Sequence, residues 1–402
     1  MALSKIDVAN MLTGATPVAN GGTAATTLAG AGLAKRPNAK PLIFNGDMQV
    51  AQRGTSSTGV GNGDSGYPTI DRWRFDEGGD TSAEFTMTQA TDVPTGYGFT
   101  KSLKLDCTTA DASPGASDIV RIEQRFEGQD LQGLKKGTSN AEKLTLSFWV
   151  KSTKTGTFIA ELIDSDNSRH VSTAYTVSSS DTWENKVVNF PADTTGAFDN
   201  DNAESLRVIF NLIAGSNYTD GTLATSWAAY NDGNEAVGQV NIGDNTSNNW
   251  LITGVQLEVG EFTSSTLPPF QHESFADNLA RCHRYCYVMG ASANAEDGGQ
   301  ITIGSGLCRS SGSAIFTDIC GTYPQPLRTL PSVTQVGGDL ADLFCYKDNG
   351  TSADPTSISV GRNTISLILT NNMGTSSGLS AGDATFQQCV ENDTDLVFDA
   401  EL

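Results

Sequence analysis

The sequence predicts an all-β protein built around a jelly-roll β-sandwich, and three observations favour this fold class. Glycine supplies 42 of the 402 residues, a larger share than the usual ~7%, and Ser, Thr and Asn are also abundant, as expected for short strands joined by many turns. Apolar and polar residues alternate along many short segments, which places one face of each strand in a core. Only one segment has clear helical spacing. The length predicts two or three domains.

Residues 1–40 are predicted to form an extended N-terminal segment. They are rich in Ala, Gly, Thr and Asn and carry few large apolar side chains. Such a segment cannot offset its own ordering entropy. We expect it to be ordered only where another chain or a larger assembly holds it, and the alternative is a flexible tail.

Residues 41–270 are predicted to form the jelly-roll domain. About nine segments in this range have strand character, which is the number that a two-sheet sandwich needs. They are Arg72–Phe75, Phe85–Met87, Leu103–Cys107, Ile119–Phe126, Leu144–Val150, Phe158–Leu162, Val187–Phe190, Leu206–Leu212 and Trp250–Val259.

Residues 271–287 are predicted to form a linking helix. Ser274 is a suitable N-cap residue, and Asp277 stands three positions later, where a capping box has Glu. The helix would carry one apolar stripe at helical spacing, formed by Phe275, Leu279, Cys282 and Cys286.

Residues 288–402 are predicted to form a smaller C-terminal β-sandwich domain. Turns are expected at Tyr323–Pro326 and at Asn349-Gly350. The predicted strands are Ala314–Ile319, Ser332–Val336, Thr364–Leu369 and Asp395–Phe398.

Charge and composition argue against a nucleic-acid ligand, a membrane span, a secretory signal and a disulfide framework. The net charge of −21 and the 25 scattered basic residues do not provide the basic groove that nucleic acid requires. No apolar stretch approaches the ~20 residues of a membrane span, and no secretory signal is recognised, so we expect folding in the cytoplasm. Seven irregularly spaced cysteines do not suggest a disulfide framework, and most are expected to be buried.

Three stretches of the sequence, taken together, resemble a known family, namely phage tail-fibre-like virion proteins with a carbohydrate-binding-module-like jelly roll. The resemblance covers nearly all of the chain, and the leader Pro17–Thr23 is also similar to N-terminal segments of phage tail fibres. The stretches are Asn45–Gly54 followed by Ile70–Trp73, Ile252–Gly260 running into Pro269–Tyr285, and Phe398–Leu402.

The resemblance has specific structural implications. It implies that Asn45-Gly46-Asp47 is the first strand and turn of the jelly roll, and that Val255, Leu257 and Val259 belong to a closing strand beside it. The structural calcium of many sugar-binding jelly rolls is not expected here, since Met48-Gln49 and Thr253-Gly254 replace its acidic ligands. Two acidic segments, Asp164–Asn167 and Asp199–Asn202, are interpreted as turns rather than calcium loops.

No catalytic residues, metal site or cofactor are predicted. The histidines, His170, His272 and His283, cannot be combined with a nucleophile into a recognisable motif. Cys282 and Cys286 could reach one ion from a helix, but zinc needs four ligands for a closed site. Buried packing is therefore the favoured interpretation for both thiols.

The most suitable ligand-binding segment is the turn-rich connection 217–232, because function is often carried by such connections. The candidate ligand-binding residues are Tyr218, Trp227, Tyr230 and Asp232. For Trp227 the alternative is a structural role, in which it holds a long loop on the sandwich. Three further tryptophans, Trp73, Trp149 and Trp183, are expected in the core.

These observations predict a non-enzymatic structural component of a phage virion, assembled in the host cytoplasm. The favoured role is a tail fibre or appendage that mediates host attachment, with residues 1–40 docked on other virion proteins and the chain forming a homotrimer. Host surface polysaccharide is a candidate ligand. The alternatives are a head fibre or capsid decoration protein and, more remotely, a polysaccharide-cleaving tailspike.

Overall fold

A computed structural model describes residues 41–290 and much of the remaining chain. The other described ranges are 301–311, 314–336, 343–347, 352–353, 355–360, 365, 367–374, 379–389 and 395–402. The predicted N-terminal segment 1–40 and the predicted turn Asn349-Gly350 lie outside the described residues.

Two six-stranded antiparallel sheets form a sandwich, which confirms the predicted jelly-roll fold class. In spatial order, the first sheet consists of β1 (Ser56–Gly61), β3 (Glu84–Ala90), β4 (Ser102–Thr109), β12 (Asn249–Val259), β6 (Leu144–Ser152) and β9 (Glu184–Phe190). The second consists of β11 (Ala228–Ala229), β8 (Arg169–Val177), β7 (Gly156–Asp164), β10 (Glu204–Ala214), β5 (Ile119–Glu127) and β2 (Arg74–Gly78). Successive strands often lie in different sheets, as a jelly roll requires.

The core lies between the two sheets and follows the alternation seen in the sequence. On β6, the side chains of Leu144, Leu146, Phe148 and Val150 all point into it and are buried. Each of the nine predicted segments overlaps a strand, although the one predicted at Arg72–Phe75 shares only its last two residues with β2. Three strands were not predicted, namely β1, β8 and β11.

The segment around Asn45-Gly46 differs from what the resemblance implied. It forms a turn, in which Met48 N donates to Asn45 O at 3.1 Å, but residues 42–45 make bends rather than a strand. The segment does lie beside the closing strand, because Val255 N donates to Gly46 O at 2.9 Å. Leu42, Ile43 and Phe44 are buried there by packing and not by a ladder of hydrogen bonds.

The linking helix, α1, runs over Phe275–Cys282 and is shorter than the predicted 271–287. Its N-cap is Ser274, whose hydroxyl accepts from Asp277 N at 3.1 Å, as predicted. The predicted stripe is wrong at Phe275, whose side chain is 58% exposed. The helix instead turns Asn278 inward, and its amide donates to Asn45 Oδ1 at 3.2 Å and Asp47 Oδ1 at 3.3 Å. In the described part of the chain no helix is long and apolar enough to cross a membrane.

The residues after α1 form two further antiparallel sheets. In spatial order, the three-stranded sheet contains β13 (Cys286–Gly290), β22 (Asp395–Asp399) and β16 (Ser332–Val336). The seven-stranded sheet contains β18 (Ser352–Ala353), β17 (Leu343–Lys347), β21 (Ala384–Cys389), β14 (Ile301–Ser311), β15 (Ala314–Thr322), β20 (Leu367–Gly374) and β19 (Pro355–Val360). All four predicted C-terminal segments overlap strands of these sheets, although the one predicted at 364–369 meets only the start of β20.

The three stretches that carried the family resemblance meet in one place, here called the junction. Its members come from the turns before β2, from β13 and from the C-terminus, and they join the sandwich to the three-stranded sheet. The contacts are an ion pair between Arg72 and Glu401, an ion pair between Arg53 and Asp399 at 3.0 Å, and a hydrogen bond from Gln52 Nε2 to Cys286 O at 2.9 Å. The motifs therefore lie where the two parts of the chain are connected.

Candidate ligand-binding surface

A long loop, residues 215–241, covers part of the outer face of the second sheet; it is called the covering loop below. It follows β10 and contains the short strand β11. Its backbone pairs with the sheet, because Ser172 N donates to Ala224 O at 2.7 Å and Tyr230 N donates to Ser168 O at 2.8 Å. Near its end, Val240 N donates to Thr157 O at 2.9 Å. These bonds fix the loop on β7 and β8.

Trp227 holds the middle of the covering loop on the sandwich. Its indole Nε1 donates to Pro191 O at 2.9 Å, and its partly buried ring packs against the core. Lys136 Nζ lies 5.1 Å from the ring centroid, within reach of a cation–π contact. Trp227 does not line the surface hollow formed by Tyr230 and Asp232, and its contacts fit the structural role that was the alternative.

Two of the other predicted residues, Tyr230 and Asp232, lie together on the covering loop. Tyr230 is 39% exposed, and both residues line an open hollow on the protein surface. The ring of Tyr218 is half-buried and lies 5.6 Å from the guanidinium of Arg121. Burial and the nearby Glu235 carboxylate raise the pKa of Tyr230, so its hydroxyl stays protonated. The surface around the hollow therefore presents aromatic rings, carboxylates and amides together.

A buried polar layer lies between the covering loop and the sheet, and it was not predicted from the sequence. Arg121 pairs with Glu235 at 2.6 Å, and His170 Nδ1 lies 2.8 Å from Glu161 Oε1. The ring of Tyr230 packs edge-on against His170, with 5.3 Å between the centroids. Burial and the charge of Glu161 raise the pKa of Glu235 to about 7. The signal in the sequence was the row of charged residues at alternate positions of β5, namely Arg121, Glu123 and Arg125, which strand alternation alone would place on a solvated face.

The described residues contain no group of three or more His, Cys, Asp or Glu side chains placed to hold a metal ion. At the acidic turn that begins at Asp164, the carboxylate forms an ion pair with Lys136. Its Oδ1 also accepts a hydrogen bond from Asn167 N at 3.0 Å. Cys282 and Cys286 are both buried, and burial raises the pKa of each thiol well above its usual range. Protonated thiols are poor metal ligands.

Two of the three tryptophans expected in the core lie elsewhere. Trp73 is fully buried as predicted. Trp149 and Trp183 are only partly buried on the outer face of the first sheet. The reason is strand alternation, because Phe148 and Val150 fill the inward positions on either side of Trp149.

Comparisons with known proteins concern the fold only. No protein-family model matches the chain, and no curated protein matches it. Among solved structures it is similar to the enzymatically active domain of tailspike protein 4 of bacteriophage CBA120, with 17% identity and a TM-score of 0.27, over 50% of this chain and 21% of that one.

It is also similar to a family 11 carbohydrate-binding module of a Clostridium thermocellum cellulase, with 11% identity and a TM-score of 0.27, over 51% of this chain and 98% of the module. A family 61 module in complex with β-1,4-galactotriose gives 10% identity, a TM-score of 0.27, and coverage of 55% and 99%. The chain spans about a fifth of the tailspike chain and nearly all of each module. The fold assignment rests on the strand order described above.

Proposed function

We propose that this chain is a non-enzymatic component of a phage virion, a tail fibre or similar appendage that attaches to the host by binding surface polysaccharide. The observation that carries the proposal is the covering loop, which is fixed at Trp227 but leaves Tyr230 and Asp232 exposed. Sugar rings are bound by aromatic faces bordered by carboxylates and amides, and a loop that is already ordered loses little entropy on binding.

The placement of the carboxylates under the loop supports binding rather than cleavage. Glycoside hydrolysis needs two carboxyl groups on either side of an open cleft. Glu161 and Glu235 are both fully buried, and each already has a basic partner, His170 and Arg121 respectively. A polysaccharide chain cannot reach this pair while the covering loop is in place.

The junction supports the relationship to tail-fibre-like proteins. Its charged residues belong to the first and third of the stretches that carry the resemblance, and they contact one another across more than 300 positions of the chain. We further propose that residues 1–40 dock on other virion proteins and that the chain is a homotrimer.

The proposed function is tested by host attachment. Purified full-length chain should bind host cells, and extracted surface polysaccharide should compete with that binding, whereas the Tyr230→Ala variant should bind more weakly. Release of new reducing ends from the polysaccharide would instead identify a cleaving tailspike. Labelling of the chain on the phage head, without binding to cells, would identify a head fibre or capsid decoration protein.

The assembly is tested by mass and by deletion. The native mass should be three times 42.3 kDa, and a strict monomer in solution and in the particle would contradict the trimer. Deletion of residues 1–40 should leave soluble protein that no longer enters virions. Normal incorporation of the deleted chain would contradict the docking role.

A further inference from the structure

An exposed aromatic patch lies on the outer face of the first sheet, opposite the covering loop. Its members are Tyr97, Trp149 and Trp183, together with Asp92 and Lys151; it is called the Tyr97 patch below. Trp149 and Lys151 occupy successive outward positions of β6, and Trp149 pairs with Asn185 of β9. Trp183 comes two residues before Asn185, so it lies on the same face beside Lys151.

Tyr97 is the most exposed aromatic residue of the sandwich. The side chain of Tyr97 is 55% exposed, although its ring contacts that of Trp149 with 4.3 Å between the centroids. Trp149 and Trp183 are also partly accessible. Neighbouring outward positions on β4 and β3 carry Lys104, Asp106 and threonines. Two contacting aromatic rings, those of Tyr97 and Trp149, need a reason beyond packing on such a polar surface.

Hydrogen bonds fix the patch in one arrangement. Trp183 Nε1 donates to Asp92 Oδ1 at 2.9 Å, and Asp92 Oδ2 lies 2.8 Å from Lys151 Nζ. Lys151 also pairs with Asp181 at 2.8 Å. The two loops that flank the patch, residues 91–101 and 178–183, are therefore tied to the same lysine.

The loop that carries Tyr97 is packed onto the first sheet through Phe99. Phe99 packs on the backbone of Gly254, where an added Cβ would lie 2.5 Å from the ring, and its ring meets those of Phe270 and His272. Gly96 and Gly98 both have positive φ values, 88° and 82°, and the chain reverses around Tyr97. This turn leaves the tyrosine ring at the tip of the loop.

The chemistry of the patch selects a neutral sugar. The C–H groups of a pyranose ring pack on the negative face of an aromatic ring, and carboxylates accept hydrogen bonds from its hydroxyl groups. Lys151 is engaged by two carboxylates, and the chain as a whole carries a net charge of −21. An acidic polysaccharide would meet repulsion at this surface.

We propose that the Tyr97 patch is a second glycan-binding site, which takes neutral hexose units by stacking on Tyr97 and Trp149 with Asp92 and Asp181 as hydrogen-bond acceptors. This inference rests on the proposed function, since it specifies a place and a substrate class for polysaccharide binding. The two sheets would then present glycan sites on opposite outer faces of one sandwich. A polysaccharide bound at both faces would be held more tightly than at either one.

The test is a titration of the full-length chain with hexaoses of glucose, galactose and mannose, with a hexagalacturonate as the acidic comparison. Binding is measured by calorimetry and by tryptophan fluorescence, to which the partly accessible Trp149, Trp183 and Trp227 respond more than the buried Trp73 and Trp250. At least one neutral hexaose should bind and change the emission. The Tyr97→Ala variant should weaken that binding about tenfold, the usual effect of losing a central aromatic contact.

Matched variants separate the ring of Tyr97 from its hydroxyl and from other exposed aromatic rings. Tyr97→Phe should bind within about threefold of the original chain, because stacking needs only the ring. Phe275→Ala removes an exposed aromatic ring that belongs to neither proposed surface and should leave the fluorescence response unchanged. Because Tyr97 is exposed, none of these changes should alter the thermal midpoint of unfolding by more than about 2 °C.

Two outcomes would overturn the inference. The first is the absence of binding to every neutral hexaose, or tighter binding to the galacturonate. The second is neutral binding that Tyr97→Ala leaves intact. If the Tyr97→Ala variant also attaches normally to host cells, the second site is refuted and the proposed function is not. If the original chain binds hexaoses through Tyr97 but does not attach to cells, the site is supported and the proposed function is refuted.

Discussion

The guanidinium of Arg72 is paired with the carboxylate of Glu401 inside the junction, although 329 positions separate them in the chain. Arg72 is fully buried, and its guanidinium also lies over the ring of Tyr285, 3.6 Å from the centroid. Glu401 additionally lies 3.4 Å from Arg53. The last residues of the sequence therefore supply the counter-charge for a buried cation of the sandwich.

The first prediction is that Glu401→Gln strongly destabilises the protein. It leaves the buried Arg72 without its carboxylate, and loss of one partner of a buried ion pair costs about 3–5 kcal/mol. The free energy of unfolding, measured by denaturant titration, should fall by that amount. The matched control is Glu261→Gln, which breaks the exposed pair with Lys143 and should cost less than about 1 kcal/mol. Equal effects of the two changes would contradict this account of the junction.

The second prediction concerns the contact between Gly46 and the closing strand β12. A Cβ added at Gly46 would lie 2.2 Å from the carbonyl oxygen of Val255. Both partners are backbone, so Gly46→Ala must separate them, which should cost about 1–3 kcal/mol. At Gly78 the nearest atom is the flexible Ile119 side chain, 3.1 Å away, so Gly78→Ala is a milder control. A thermal midpoint for Gly46→Ala as high as that of the control would show that the turn can move away from β12.

The third prediction is that Trp227 holds the covering loop closed. Trp227→Phe keeps a ring but loses the donor to Pro191 O, and the loss of one hydrogen bond should cost about 1 kcal/mol. Trp227→Ala also removes the ring that contacts Lys136, so the loop should open more often. Proteinase K should then cleave within residues 215–241 faster in Trp227→Ala than in Trp227→Phe.

The control for this experiment is Asp232→Ala, since Asp232 is exposed in the same loop and should not affect cleavage. If the Trp227→Ala variant resists cleavage as well as the original chain, the backbone hydrogen bonds alone hold the covering loop. Ligand binding would then be the better explanation for Trp227.

Most of the sandwich could be predicted from the sequence because its strands have one inward apolar face. β6 is the clearest case, with Leu144, Leu146, Phe148 and Val150 at alternate positions. β8 was not predicted, because Thr173 stands at the inward position between Val171 and Tyr175 and interrupts the apolar alternation. A polar residue at one inward position is enough to hide a short strand from the period-two pattern.

The placement of single side chains was harder to predict than the strands. Periodicity located the helix and its cap at Ser274, but it placed Phe275 in the core, where Asn278 lies instead. Asn278 is inward because Asn45 and Asp47 offer it buried acceptors, and contacts across more than 200 positions are not visible in a local pattern. The same limit applies to the polar layer beneath the covering loop, whose members come from four separate segments.

The last prediction concerns the pH dependence of stability that Glu235 confers. Burial and the charge of Glu161 raise its folded-state pKa from the ordinary 4.5 to about 7. Between these two values the folded state holds a proton that the unfolded state has released. The stabilising contribution is therefore fully present below the ordinary pKa and is lost as the pH rises through about 7.

The comparison of the original chain with Glu235→Gln isolates this effect, because an amide does not titrate and the other ionisable groups are present in both proteins. The thermal midpoint of the original chain, relative to that of the variant, should fall steadily between pH 4.5 and pH 8. Each kcal/mol should appear as a shift of about 2–4 °C in a domain of this size. The thermal midpoint of Glu261→Gln, a change at an exposed carboxylate, should show the same pH dependence as that of the original chain. If the midpoint of Glu235→Gln also shows this pH dependence, Glu235 is ionised throughout the range, and Arg121 rather than Glu161 controls its charge.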